Sequence, residues 1–331
     1  NYYAHTAYSA MNIIASFLLL VIGSLMLSSF VRAFSPSISS ATLFKKTPTS
    51  TTTARHMVNI MDLLSGGKNQ LIDPARALPG RTQPMAGIEG LKHYVLKNPL
   101  TGVPAGHKEA IFGNGCFWGT EKSFWRLPQG IYSTAVGYCG GFTPNPTYEE
   151  ACSGMTGHTE GCRVVYDEAQ ISFVDILRMF WESHDPTSGM GQGNDRGTQY
   201  RSGFYYMDVD QKALIEASRD AYEQALGGGR KITTEIQSAD HYEQRYGTFW
   251  YFAEPYHQQY LAKPGSRPYC SAQPQGVSLP PYDSWCPFND DNELKEKYRP
   301  KLPESFWSRH GPKRGCSVVK ETNDPIQWDE L

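Results

Sequence analysis

A chain of 331 residues with a formal net charge of −2 is long enough for two domains and has no basic excess that would mark a nucleic-acid surface. Gly (31) and Tyr (20) are plentiful, as in a loop-rich enzyme, and the seven cysteines contain no Cys-x-x-Cys, which argues against structural zinc. Their odd number leaves at least one thiol over, and their scatter through a large domain suggests mostly reduced thiols with a few redox-active ones.

The first acidic residue is Asp62, and residues 13–27 are almost uninterruptedly apolar. Met11 lies just ahead of that run, and Val31-Arg32-Ala33 offers a small residue for cleavage before Phe34. Residues 1–33 read as a signal peptide with its start at Met11, although no Lys or Arg precedes the run. A transmembrane anchor is the competing reading, but the run is short for a full span. Residues 34–57 are rich in Ser and Thr, carry Lys45, Lys46 and Arg55, and have no acid, a transit-peptide composition. Signal peptide, Ala-Phe, then transit peptide resembles the bipartite plastid presequence of algae with complex plastids. That resemblance implies a plastid destination, with the ER or secretion as the alternative, and no membrane association of the mature form. The final Trp328-Asp329-Glu330-Leu331 is a partial likeness to an ER-retention tail. Residues 58–105 read as a linker with one weak helical patch at 57–64.

A catalytic domain is expected over 106–265. Residues 109–112 read as a strand, Gly113-Asn114-Gly115 as a tight loop, and Phe117, Trp118, Phe124, Trp125 and Leu127 recur at a helical period. Cys116 therefore falls at the start of a helix, where free N–H groups favour a thiolate over a thiol. Next come a strand at 131–138, a proline-rich loop at 143–148 and a strand at 160–166. Alternation along that strand puts Glu160, Cys162, Val164 and Tyr166 on one face. Ser172-x-x-Asp175 is a capping box for a helix at 172–183, with Phe173, Ile176, Leu177 and Phe180 on one face. A strand at 200–207, a helix at 210–226 ended by Gly227-Gly228-Gly229, and strands at 232–236 and 249–252 follow. This pattern predicts an α+β two-layer sandwich, a mixed sheet with helices on one face. Residues 266–331 read as a wrapping extension with a helix only at 291–298.

Gly115-Cys116-Phe117-Trp118-Gly119-Thr120-Glu121 resembles the active-site motif of the peptide methionine sulfoxide reductase A family. Gly137-Tyr138-Cys139-Gly140-Gly141, Asn145-Pro146-Thr147-Tyr148, Gly157-His158-Thr159-Glu160, the stretch from Gln192 through Asp195 and Tyr200 to Ser202, and His257-Gln258-Gln259-Tyr260-Leu261 are similar to the family in the family's order. The resemblance implies the same α+β fold with a ferredoxin-like core. It implies thiol-dependent reduction of the S-epimer of methionine sulfoxide, free and protein-bound, without a cofactor or metal.

By that resemblance Cys116 attacks the sulfoxide sulfur and becomes a sulfenic acid. Glu160 is the general acid, Tyr148 and Tyr200 bond the sulfoxide oxygen, and Asp195 supports that polar network. Phe117 and Trp118 receive the substrate methyl group. Cys270, in a Pro- and Gly-rich segment, matches the resolving cysteine, which implies a Cys116–Cys270 disulfide reduced by thioredoxin. Cys286 is the next candidate for recycling and Cys316 the one after it; Cys139, Cys152 and Cys162 read as structural thiols. Two other classes compete. A cysteine hydrolase needs a His base beside Cys116, and no pattern supplies one. A non-catalytic binder of oxidised methionine would have lost Cys116 or Glu160, and both are present.

Overall fold

The structure is a computed structural model that describes residues 69–328. The presequence, the helical patch at 57–64 and the last three residues lie outside the described residues. Among the described residues no helix is long and apolar enough to cross a membrane.

Strand β1 (His107–Asn114) leads into helix α1 (Phe117–Trp125) and strand β2 (Ile131–Cys139). Helix α2 (Tyr148–Cys152), strand β3 (Thr159–Asp167) and helix α3 (Phe173–Glu182) follow. A short hairpin, β4 (Gly191–Gln192) and β5 (Asp195–Arg196), precedes β6 (Ser202–Tyr206), α4 (Val209–Leu226), β7 (Glu235–Ser238), α5 (Ala239–Tyr246) and β8 (Trp250–Phe252). The extension adds α6 (Asn292–Lys297) and α7 (Glu304–His310).

Six strands form one mixed sheet in the order β7-β6-β1-β3-β2-β8, and β6–β7 is its parallel pair. Strand β1 is central, pairing antiparallel with β3 (Phe112 opposite Cys162) and with β6 (Phe112 opposite Phe204). The period-2 alternation of β1 splits its side chains. Ala110 and Phe112 join Cys162, Val164, Tyr166 and Phe204 under Phe124 of α1, Phe180 of α3 and Leu214 of α4. Ile111 points the other way, joining Cys139 and Tyr205 against Ala239 and Tyr242 of α5. Helices therefore cover both faces, not one as predicted. Helix α5 escaped prediction because only Ala239 and Tyr242 of its eight residues are buried, too few to mark an apolar stripe.

Local signals account for the other elements. The Ser172 and Asp175 capping box starts α3, as read from the sequence. A second box, Thr147 with Glu150, turns the end of the proline-rich loop into α2. The segment expected to be a linker carries buried Ile88, His93 and Leu100, and His93 Nε2 lies 2.9 Å from Thr134 Oγ1 on β2. The extension enters the main core through Leu279, Tyr282, Tyr298, Leu302, Phe306, Trp307 and Ile326.

Candidate active site

Gly115 adopts φ 102°, and a Cβ there would meet the Gln192 side chain at 2.7 Å. Only glycine makes this turn, which delivers Cys116 as the N-cap of α1. Cys116 is buried, 9% exposed. Burial pushes its thiol well up, the charge of Glu160 adds to the rise, and the N–H groups of Trp118 and Gly119 oppose it. The helix N-terminus thus acts in the direction the sequence suggested but does not prevail. Cys116 rests as a thiol.

Glu160 enters from the start of β3, opposite Tyr138 in the β2–β3 ladder. Its Oε2 accepts the N–H of Phe117 at 3.0 Å, the first turn of the nucleophile's own helix. Burial pushes its carboxyl up to about 8, with the Phe117 N–H opposing and Asp195 adding to the rise. A carboxyl that keeps its proton at neutral pH beside a buried thiol is a proton donor in waiting.

Tyr148 starts α2, and Tyr200 ends the turn before β6. Burial pushes both hydroxyls up, followed by the charge of Glu160 in each case, so both face that carboxyl. Tyr148 also hydrogen-bonds Cys152, which places a thiol read as structural beside the candidate site. Asp195 on β5 accepts the Tyr269 hydroxyl on Oδ1 at 2.5 Å, while its buried Oδ2 has no partner among the described residues. Asp195 therefore fastens the segment that carries Cys270, a contact the sequence did not suggest.

An aromatic cluster packs beside these groups. The Trp118 ring stacks on Tyr260 at 3.9 Å, and the Phe117 ring lies 5.1 Å from that of His257. Trp118 Nε1 donates to His257 Nδ1 at 3.0 Å, and the Tyr148 ring lies 4.6 Å from His257. Burial lowers His257 to about 4, so it is neutral, and its Nδ1 lone pair is taken by Trp118. It holds the cluster and cannot serve as a base for Cys116, which removes the ground for the hydrolase alternative. His257 was not singled out from the sequence, although the His257–Leu261 motif that carries it was. Its loop is fixed by Glu121, whose buried carboxylate accepts Gln259 N–H at 2.8 Å, Gln259 Nε2 at 2.6 Å and Thr134 Oγ1 at 3.1 Å.

The cysteines are distributed differently from the sequence reading. Cys270 is disulfide-bonded to Cys316, with a Cα–Cα distance of 5.9 Å. Cys116 is a free thiol. Yet Cys270 lies against the nucleophile's helix, for a Cβ at Gly119 would meet its Sγ at 2.8 Å. Gly119 is the space that lets this sulfur approach. Cys286 is a free thiol, 3% exposed, that packs in the main core beside Tyr282.

The fold and the site define an oxidoreductase with a buried free thiol at a helix N-cap. The family model for peptide methionine sulfoxide reductase matches residues 108–279. Peptide methionine sulfoxide reductase MsrA 2 of a Nostoc species is 54% identical over 218 residues, covering 65% of this chain and 93% of that protein. The MsrA of Azotobacter vinelandii is 53% identical over 215 residues, covering 64% of this chain and 94% of that protein. The structure of methionine sulfoxide reductase A of Corynebacterium diphtheriae superposes with a TM-score of 0.53 at 40% identity, covering 61% of this chain and 93% of that one. The chain belongs to the peptide methionine sulfoxide reductase family, and it is an enzyme, a peptide-methionine (S)-S-oxide reductase.

Proposed function

We propose that Cys116 takes the sulfoxide oxygen with Glu160 as its proton shuttle, in oxidised proteins and in free methionine sulfoxide. Glu160 protonates the sulfoxide oxygen as Cys116 Sγ attacks sulfur, and the carboxylate takes up the thiol proton. The substrate S–O bond and the transient bond between Cys116 Sγ and the substrate sulfur break, the oxygen becomes bonded to Sγ as a Cys116 sulfenic acid, and methionine departs. Tyr148 and Tyr200 hold the oxygen, and Phe117 and Trp118 receive the methyl group. The observation that carries this reading is the buried, proton-retaining Glu160 bonded to the first turn of α1.

Cys270 then attacks the sulfenic sulfur, water leaves, and a Cys116–Cys270 disulfide forms. Cys316 draws the disulfide outward and frees Cys116, which supports the bond present in the structure as the product of that relay. Thioredoxin reduces it by thiol exchange. The strand order β6-β1-β3-β2, with α1 and α3 as the crossovers, supports a ferredoxin-like core. We place the mature enzyme in the plastid on the strength of the presequence.

The test is reduction of both epimers of a blocked methionine sulfoxide by residues 58–331 with thioredoxin, thioredoxin reductase and NADPH. Turnover of the S-epimer alone, none with Cys116→Ser, and turnover of Cys270→Ser only with dithiothreitol are the expected results. Full thioredoxin-driven turnover by Cys270→Ser would overturn the resolving role.

A further inference from the structure

Lys122 lies on α1, the helix that begins at Cys116, and is 2% exposed. Its Nζ donates to the Glu321 carbonyl at 2.7 Å and to Asn323 Oδ1 at 2.9 Å. On the same helix Trp125 Nε1 donates to the Asn323 carbonyl at 2.8 Å. The Ile326 N–H donates to the Arg126 carbonyl at 2.9 Å, and Arg126 Nη2 lies 3.4 Å from Glu321 Oε2. Residues 321–326 thus form a strap across the back of the nucleophile's helix. Burial lowers the Lys122 ammonium to about 8, with Arg126 adding to the fall and Glu321 opposing it. A charge taken out of water must keep its oxygen partners, and the strap supplies both.

This strap begins shortly after Cys316. Ahead of Cys316 the chain runs Gly311-Pro312-Lys313-Arg314-Gly315, tied by Arg314 Nε to the Gln275 carbonyl at 3.1 Å. That bond is exposed, so the strong anchor of Cys316 is on its far side. The same helix therefore carries the nucleophile at its N-cap, makes room for Cys270 at Gly119, and holds the strap at Lys122.

We propose that Lys122 is a positioning residue for the thiol relay: by fastening the strap to α1 it holds Cys316 where it takes the disulfide from Cys270. This rests on the reading of Cys270 as the resolving thiol. In the step, the Cys316 thiolate attacks Cys270 Sγ of the Cys116–Cys270 disulfide. The Cys270–Cys316 bond forms and the Cys116–Cys270 bond breaks. Cys116 leaves as a thiolate and takes up the proton that Cys316 gave up, so no electrons enter or leave. Tethering two thiols raises the local concentration of one about the other, and fixing their geometry raises the exchange rate further.

The stoichiometry of a reductant-free reaction reads this out. Fully reduced protein is mixed with excess blocked methionine sulfoxide, and methionine is followed in time. A working relay frees Cys116 for a second attack, so the parent releases two methionines per chain and ends with a Cys270–Cys316 disulfide by peptide mapping. Lys122→Met is expected to release the first methionine at the parent's rate and the second about tenfold more slowly. Peptide mapping midway should then find Cys116–Cys270. Lys122→Arg should recover much of the second rate. If Lys122→Met slows the first methionine as well, Asn323→Ala, which removes one acceptor from the strap, decides in its place. A second methionine released at the parent's rate by the deciding variant overturns the proposal. A parent that stops at one methionine with a lasting Cys116–Cys270 bond instead overturns the relay itself, whatever Lys122 does.

Discussion

Glu160 is the proton donor of the proposed reaction. Its carboxyl moves from an ordinary value of 4.5 to about 8, chiefly by burial. The sign follows directly. Below about 8 the group carries the proton that the sulfoxide oxygen needs, and above it the proton is lost. Methionine formation in a single turnover should therefore fall as pH rises through about 8. Glu160→Gln should lose roughly 10²- to 10⁴-fold in that rate, the usual worth of a general acid, and its remaining rate should lack that alkaline limb. Stability moves with the same proton. The folded chain binds it more tightly than the unfolded chain, so stability is fully present below 4.5 and declines as pH rises toward 8. Thermal melts of parent and variant across that range measure this second effect apart from catalysis. A parent rate that stayed level through pH 9 would remove Glu160 as the proton donor.

At the scale of elements, α1 is held by buried polar contacts as much as by packing. Glu121, fully buried, ties it to Thr134 on β2 and to the loop that carries His257. Every group facing its two oxygens is a donor. Glu121→Gln would turn an N–H₂ toward one of those donors at nearly constant volume, leaving a buried donor unsatisfied. The expected loss is about 1–3 kcal/mol of folding stability, read as a shift of the urea midpoint with an unchanged slope. Such contacts explain what the sequence could and could not convey. Helical periodicity and the Ser172 capping box made α1, α3 and α4 legible, and short apolar runs bounded by glycine loops did the same for β1, β2 and β3, which are buried on both faces. The residues proposed as nucleophile and acid were legible as motif and strand end. What joins distant segments was not. Asp195 meeting Tyr269, His257 accepting from Trp118, and Cys270 pairing with Cys316 depend on how the chain returns to α1, and no local pattern encodes that return.

Across the whole molecule, the extension after the catalytic core is part of the fold. Its backbone is gripped by α3 at several points. Asp175 accepts the N–H groups of Lys301 and Leu302 at 2.8 and 3.3 Å, Ser172 Oγ donates to the Tyr298 carbonyl at 2.6 Å, and Glu182 Oε1 accepts the Leu279 N–H at 2.9 Å. The Arg178 guanidinium lies over the Trp307 ring at 4.6 Å. Helices α6 and α7 are short, and each alone would be unstable in water. They persist because Tyr298, Leu302, Phe306 and Trp307 share the core of the sheet and α3. A disordered tail bearing recycling cysteines would tolerate substitution there; this one should not. Phe306 is fully buried, and Phe306→Ala should cost about 3–5 kcal/mol. The loss should appear in one cooperative urea transition when followed both by far-ultraviolet dichroism and by tryptophan fluorescence, since one core spans both parts. Two separated transitions, with the catalytic domain unfolding at its parental midpoint, would instead make the extension an independent unit. The proposed thiol relay from Cys270 to Cys316 would gain from the cooperative arrangement, because the core that holds α1 would also fix the route by which Cys116 is regenerated.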